Sequence, residues 1–313
     1  MSEPFFHWGE SAFEYIGFLS SFFIIGAIAF RAFILRPMIA AGGLRADALR
    51  SAGPTAARIG FIGAVLGGIG LVHSLMGFAA RRHLTFGAAA AAGGWNIAVP
   101  AVLLVVLLIV FALAATRLDA AWPVAIIAGF ALALRSVPTA ITGRWQSMIN
   151  PLHVLFGSLW LGTLFVVVVA GLSLAIRGPL PRDSRGATVA EMVNRFSTLA
   201  LISAACLVLT GTITAVLHLK YVAALWTTPY GRTFIVKLCV VLGVVALGAW
   251  NWRRVRPSLG GEESARIIRR TASSELAMAA LVLAVTSVLV TLPTPKKPKA
   301  APPAAATAAP AGP

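Results

Sequence analysis

Residues 98–116 read AVPAVLLVVLLIVFALAAT, an apolar stretch that no charged side chain interrupts. A helix needs about 20 such residues to cross the ~30 Å hydrocarbon layer of a membrane. The stretch lacks the strict alternation of a strand, and lipid offers backbone groups no hydrogen-bond partner, so a helix is favoured. The stretch therefore predicts a transmembrane helix.

Seven further apolar runs of similar character follow the same rule: 12–34, 59–80, 119–138, 151–176, 196–218, 233–251 and 275–293. The run at 119–138 is the weakest, because it is short and begins with Asp119 and Pro123. Hydrophobic residues make up 58% of the chain and charged residues only 12%, with a mean hydropathy of +0.87, which excludes a soluble globular protein. We predict an all-α integral membrane protein, a polytopic bundle of eight transmembrane helices.

The eight predicted spans divide into two sets of four. Residues 1–140 would form an N-terminal four-helix half and 141–293 a C-terminal half. A weak echo between the segments that begin at Arg58 and Arg195 would make the halves a parallel repeat. Residues 294–313 form a Pro/Ala-rich tail, which we predict to be disordered.

The net charge of +16 mainly reports topology. Loops after alternate spans, among them 35–58, 177–195 and 252–274, hold more Lys and Arg than the remaining loops and the tail. The positive-inside rule places these loops in the cytoplasm and both termini on the other side. Nothing beyond charge points to nucleic acid binding.

The five histidines, all near one predicted membrane face, are the candidate functional residues: His7, His73, His83, His153 and His218. Two of them, His73 and His153, lie within apolar spans, where an ionisable side chain is costly. Each has an ordinary interpretation too, since a lone histidine can reach the lipid headgroups or hydrogen-bond a neighbouring helix.

Lys237 is a second costly residue, because it lies about six residues, or ~9 Å, below the predicted surface. Its long side chain can reach the headgroups. The functional alternative is that it faces the bundle interior beside an anion, a haem propionate or a metal-bound group.

A possible metal ligand set combines imidazole and thioether. His73 and Met76 are one helical turn apart, and soft sulfur together with imidazole favours copper. His153, His73, Met76 and His218 are therefore the candidate copper ligands, although each histidine taken singly also has an ordinary interpretation: contact with the headgroups for His153, a hydrogen bond to a neighbouring helix for His73, and surface exposure for His218.

Other catalytic templates are not found in the sequence. It has no Walker or dinucleotide-binding glycine loop, no Cys-x-x-Cys and no Ser/His/Asp set, and no acidic residue lies well inside a span. The pattern favours transport or binding over catalysis.

The second half of the chain resembles the copper resistance D family of bacterial inner-membrane proteins. The residues that carry this resemblance are His153, Leu159-Trp160-Leu161-Gly162, Arg195-Phe196-Ser197-Thr198-Leu199-Ala200, Leu209-Thr210-Gly211, Thr228-Pro229-Tyr230-Gly231-Arg232 and Lys237-Leu238. The resemblance covers residues 150–255 and continues loosely through the last span.

This resemblance implies a copper homeostasis protein of the inner membrane that binds or translocates copper at the periplasmic side, with both termini periplasmic. It also implies a periplasmic copper chaperone of the copper resistance C type as a partner. A scaffold that only captures such a chaperone is a further possibility.

A second resemblance leads to a different cofactor. The membrane protoporphyrinogen oxidases, which bind haem b, also have a histidine early in one span and a lysine in a later helix. By this resemblance His153 would ligate haem iron, Lys237 would serve the porphyrin carboxylates or the catalytic chemistry, and the protein would be an oxidoreductase.

Overall fold

The computed structural model describes residues 8–42, 46–135, 141–174, 182–250, 253 and 262–295. His7 and the predicted disordered tail from residue 296 onwards lie outside the described residues, as do the loop segments between these ranges.

The described residues form helices and no strand. In chain order the helices of eight residues or more are α1 (Trp8–Ala40), α2 (Ala46–Arg82), α3 (Phe86–Gly93), α4 (Trp95–Ala115), α5 (Ala121–Ala133), α6 (Trp145–Leu172), α7 (Arg182–Leu219), α8 (Pro229–Trp250) and α9 (Glu262–Thr291).

Seven of these helices, all except α3 and α5, are long and apolar enough to span a membrane within the described part of the chain. The predicted all-α polytopic membrane fold is confirmed. The weakest predicted span corresponds to α5, which has 13 residues. At 1.5 Å per residue α5 is only about 20 Å long, which is shorter than the hydrocarbon layer.

When α5 is counted together with the seven spanning helices, successive helices run in opposite directions, so that α1 begins and α9 ends on the same side of the bundle. We call the side on which α1 begins the N-face and the opposite side the far face. At the N-face the Ser11 and Thr291 hydroxyls lie 3.1 Å apart, joining the start of α1 to the end of α9. Towards the far face, Arg31 of α1 contacts Asp119, which precedes α5.

Helices α1 and α6 form the centre of the bundle. In the most apolar 18-residue stretch of each helix, the buried share is 61% for α1 and 67% for α6, compared with 11% for α7 and 6% for α8. Helix α1 packs against α2, α5, α6 and α9 and, through Phe30–Leu35, against α7, whereas α8 packs mainly against α9. Because α1 contacts helices on both sides of residue 140, the two predicted halves share one core, and their division remains a prediction.

Glycine brings the central helices into backbone contact. A Cβ on Gly162 of α6 would overlap the Phe22 carbonyl of α1, and a Cβ on Gly26 would overlap the Gly162 backbone. On another side of α1, a Cβ on Gly63 of α2 would lie 2.8 Å from the Cβ of Phe23. Small residues are the usual means of close helix packing in lipid, where the hydrophobic effect does not drive helices together.

Helix α6 is not a regular α-helix throughout. Its segments Ser158–Gly162 and Val167–Leu172 have π-helical hydrogen bonding, and the first of them includes the glycine that crosses α1. Each π turn contains one more residue than an α turn. The crossing and the change in helix type therefore coincide.

An ion pair between a largely buried arginine and an exposed aspartate supports the far-face half of the bundle. The Arg31 side chain is 12% exposed, lies 2.8 Å from the Asp119 carboxylate and packs 5.8 Å from the Trp122 ring centroid. A charge at this depth is costly unless it is paired. Asp119 and Trp122 therefore fix the start of α5 against α1.

The change Gly162→Ala tests the central crossing. We expect it to lower the free energy of unfolding by about 1–3 kcal/mol, the usual cost of overpacking, because the new methyl group forces the α1 backbone away. Thermal unfolding in detergent, followed by circular dichroism, measures the effect. Gly68→Ala is the matched control, since a Cβ there meets nothing within 4 Å. Equal melting temperatures of the two variants would contradict this packing.

Candidate metal site

His153, on the third turn of α6, is oriented by a hydroxyl of α7. Its Nδ1 lies 3.0 Å from the Thr210 Oγ1, and that hydroxyl lies 2.8 Å from the Cys206 carbonyl oxygen. A hydroxyl has a single proton, which Thr210 donates to the carbonyl. In the bond with His153 the hydroxyl is therefore the acceptor and Nδ1–H the donor.

This arrangement leaves Nε2 of His153 with a free lone pair. A metal-ligating histidine usually donates its other ring N–H to an oxygen of the protein, which fixes the tautomer and the ring orientation. Thr210 provides such an oxygen. The imidazole is thus held in the form that can bind a metal through Nε2.

Gly211, the residue after Thr210, makes space for the imidazole. A Cβ at this position would lie 3.2 Å from the Cε1 of His153, a tight contact with the ring. The Leu-Thr-Gly motif thus has two local functions, since Thr210 orients the ring and Gly211 admits it.

Lys237 of α8 belongs to the same region. Its partly buried side chain lies within electrostatic range of His153. Among the described residues it has no hydrogen-bond or ion-pair partner. A cation that is unpaired in this part of a membrane bundle can neutralise an anion or a negatively charged ligand of a metal.

The Thr228-Pro229-Tyr230-Gly231-Arg232 motif builds the start of α8 and so positions Lys237. The Gly231 N–H donates to the Thr228 hydroxyl at 3.1 Å, which is an N-cap bond, and Pro229 occupies the first helical turn. Arg232 closes the preceding turn, because its Nε donates to the Trp226 carbonyl at 2.9 Å. The role of the motif in this fold is structural.

His218 lies on the same face of α7 as Thr210, two turns or about 12 Å nearer the N-face. Its Nδ1 donates to the Thr214 carbonyl at 2.8 Å, and its ring lies nearly parallel to that of Tyr230 at 6.4 Å. The Thr214 hydroxyl, between the two, lies 3.4 Å from the Asn150 side-chain oxygen. His218 thus extends a polar line from His153 towards the N-face.

His73 occupies a different place. Its ring stacks on Phe13 with centroids 3.4 Å apart, and it lines a cavity whose α6 wall includes Asn150 and Val154 but not His153. His73 and His153 are therefore on opposite sides of α6.

Met76 is directed away from that cavity, since its side chain is 59% exposed and is not one of the lining residues. The structure thus does not bring His153, His73, Met76 and His218 together. Within the described residues no three His, Cys, Asp or Glu side chains converge as a metal site would require.

Glu14 is the residue that the sequence analysis overlooked. It lies about 9 Å along α1 from Trp8, lines the same cavity and is within electrostatic range of His73. The sequence does indicate this position of Glu14, because Glu10, Glu14, Gly17 and Ser21 recur at the spacing of one helix face.

The change Thr210→Val tests the assigned tautomer. Loss of the oxygen acceptor should let the His153 proton distribute between Nδ1 and Nε2, at a stability cost of about 1 kcal/mol. Nitrogen-15 NMR of histidine-labelled protein distinguishes the two forms, with the His153 signals assigned by their loss in His153→Gln. Thr212→Val is the control, because that exposed hydroxyl bonds only the Val208 carbonyl. An unchanged His153 spectrum in Thr210→Val would contradict the assignment.

Comparisons with known proteins bear on the C-terminal part of the chain. No curated protein and no solved structure matches the chain, and nothing in the comparisons supports the haem alternative. The matched family segment begins after His153 and contains His218 and Lys237. That segment, residues 190–289, matches the family model of copper resistance protein D.

Proposed function

We propose that this chain is a copper homeostasis protein of the bacterial inner membrane, which binds or translocates copper at the periplasmic side. The observation that carries the proposal is the match of residues 190–289 to copper resistance protein D. The site at α6, α7 and α8 supplies the chemistry, because its imidazole has a free Nε2 and is a common copper ligand.

His153 is the principal protein ligand in this proposal, and copper is its cargo. A single imidazole supported by one hydroxyl binds an ion much less tightly than a closed set of three or four ligands. Weak binding suits an ion that must leave again, since conduction requires sites that release what they bind. The remaining donors come from water or from a ligand that accompanies the ion.

Lys237 determines which form of copper the site accepts. Its ammonium group repels a bare cation near His153 and attracts an anionic donor attached to that cation. Copper that carries a negatively charged ligand therefore satisfies both residues. By this mechanism Lys237 organises the site through charge.

The remaining candidate ligands have separate positions. His218, two turns nearer the N-face, would receive the ion before or after His153. His73 would meet copper only from the cavity on the other side of α6. Met76 would act only on copper that approaches along the outer surface of α2.

The proposed orientation makes the N-face periplasmic. The loops at the far face contain most of the loop Lys and Arg, which favour the cytoplasm. A copper chaperone of the copper resistance C type would then deliver or collect the ion near His218.

Copper retention by the purified protein tests the proposal. In detergent, after Cu(I) loading and dialysis, the wild-type chain should retain copper, as measured by mass spectrometry. His153→Ala should lower the affinity at least tenfold, and Thr210→Val by about 10–100-fold, the usual effect of losing a residue that orients a ligand. His83→Ala is the matched control, because His83 ends α2 outside the site.

An absorption spectrum of the same samples separates the two cofactors. The copper proposal expects no Soret band in any sample. If His153→Ala retained as much copper as the wild-type protein, His153 would not be a copper ligand. A stoichiometric Soret band that disappears in His153→Ala would overturn the copper proposal in favour of haem.

A further inference from the structure

A cavity of about 840 Å³ lies in the N-face half of the bundle, on the side of α6 opposite to His153. Helices α1, α2, α4, α5, α6 and α9 contribute to its wall. Its volume falls within the range of pockets that hold small organic molecules, about 300–1,000 Å³. His153, the principal ligand in the copper proposal, does not line this cavity.

Four charged side chains line the cavity, two of each sign. The carboxylates of Glu10 and Glu14 lie on α1, and the guanidinium groups belong to Arg81 of α2 and Arg135 after α5. Within the part of the chain that the structure describes, none of the four has an ion-pair or hydrogen-bond partner. All four side chains remain exposed and can reach a ligand.

Small side chains keep the cavity open and direct one arginine into it. A Cβ on Gly70 would meet nothing within 4 Å, and one on Gly77 would lie 3.3 Å from the Arg81 guanidinium. Arg81 therefore folds back along α2 towards the membrane interior. The stacked rings of His73 and Phe13 form a flat wall near Glu14.

The balance of charge indicates the class of ligand. A narrow cleft between low-dielectric helices strengthens the field of the charges that line it. A simple cation would be attracted by the glutamates and repelled by the arginines, and a simple anion would meet the reverse. A molecule that carries both charges, separated by several ångströms, is attracted at both ends.

We propose that this cavity binds a zwitterion, with its ammonium group towards Glu10 and Glu14 and its acidic group towards Arg81 and Arg135. Two sources have this chemistry, namely a soluble amino acid or peptide and the headgroup of phosphatidylethanolamine. The proposal does not depend on copper binding.

Cysteine labelling of the full chain in phosphatidylglycerol nanodiscs tests access to the cavity. In a background in which Cys206 and Cys239 are changed to serine, Ser74→Cys should react with a charged, membrane-impermeant maleimide. Ser74 is exposed and lines the cavity. Met76→Cys is the matched control on the same helix, because that position lies outside the cavity, and it should react at least tenfold more slowly.

Protection from labelling tests the ligand class. Glycylglycine should protect Ser74→Cys, whereas glycylglycinamide, which lacks the acidic group, and N-acetylglycylglycine, which lacks the ammonium, should each need at least tenfold higher concentrations. A tenfold change corresponds to ~1.4 kcal/mol, about the strength of one charge-assisted hydrogen bond. Glu14→Gln and Arg81→Gln should weaken protection to a similar extent, and Lys237→Met should leave it unchanged.

The source of the zwitterion is decided in the same assay. Slow labelling in nanodiscs that contain phosphatidylethanolamine, together with protection by soluble glycerophosphoethanolamine, assigns the cavity to the lipid headgroup. Protection by glycylglycine alone assigns it to soluble zwitterions. Equal protection by the singly charged analogues, or no protection by glycylglycine, glycerophosphoethanolamine or the lipid, overturns the proposal.

Discussion

The backbone contact between α1 and α6 determines where every other functional element lies. Gly162 allows α6 to rest against the Phe22 carbonyl, so α1 and α6 become the buried centre while α7 and α8 remain at the periphery. Once α6 is fixed there, its two faces have different surroundings. One face, with Val154 and Ser158, borders the cavity, and the other holds His153 against α7. Asn150 lies between the two, since it lines the cavity and also contacts Thr214 of α7. The separation of the two sites thus follows from a single close crossing.

Ionisable residues within the spans fall into two groups, which differ in whether a partner is present. Arg31 has a carboxylate and an aromatic ring in contact, so it stabilises the fold. Lys237, by contrast, lies within electrostatic range of the His153 imidazole but has no hydrogen-bond or ion-pair partner among the described residues. Glu14 and Arg81 also have no such partner there, although Glu14 lies within electrostatic range of His73. Because an unpaired charge in a bundle is costly, groups of the second kind are where a ligand is expected.

Hydropathy was sufficient to predict the helical class, the spans and the weakness of α5, because the cost of burying polar backbone in lipid acts locally along the chain. The same reasoning selected His153 and Lys237, which lie within electrostatic range of each other. It could not predict that His73 and His153 are apart, since that depends on which helix faces meet. Thr210 drew no attention as a partner for His153 because its role arises only when α7 packs on α6. Glu14 was missed because a span tolerates one carboxylate near its end.

The two π-helical segments of α6 have a consequence for how this helix can vary. Each accommodates one residue more than an α turn, so the segment from Thr163 onwards is rotated relative to the part that holds His153. Loss or gain of a single residue at Ser158–Gly162 would turn the far-face half of α6 about its axis and leave the His153 half unturned, whereas a change at Val167–Leu172 would affect only the end of the helix. Single-residue insertions and deletions are ordinarily confined to loops, but the two π-helical segments of α6 are positions at which they can arise within a transmembrane helix. Because of these segments, the residues before and after them do not follow one continuous helical period.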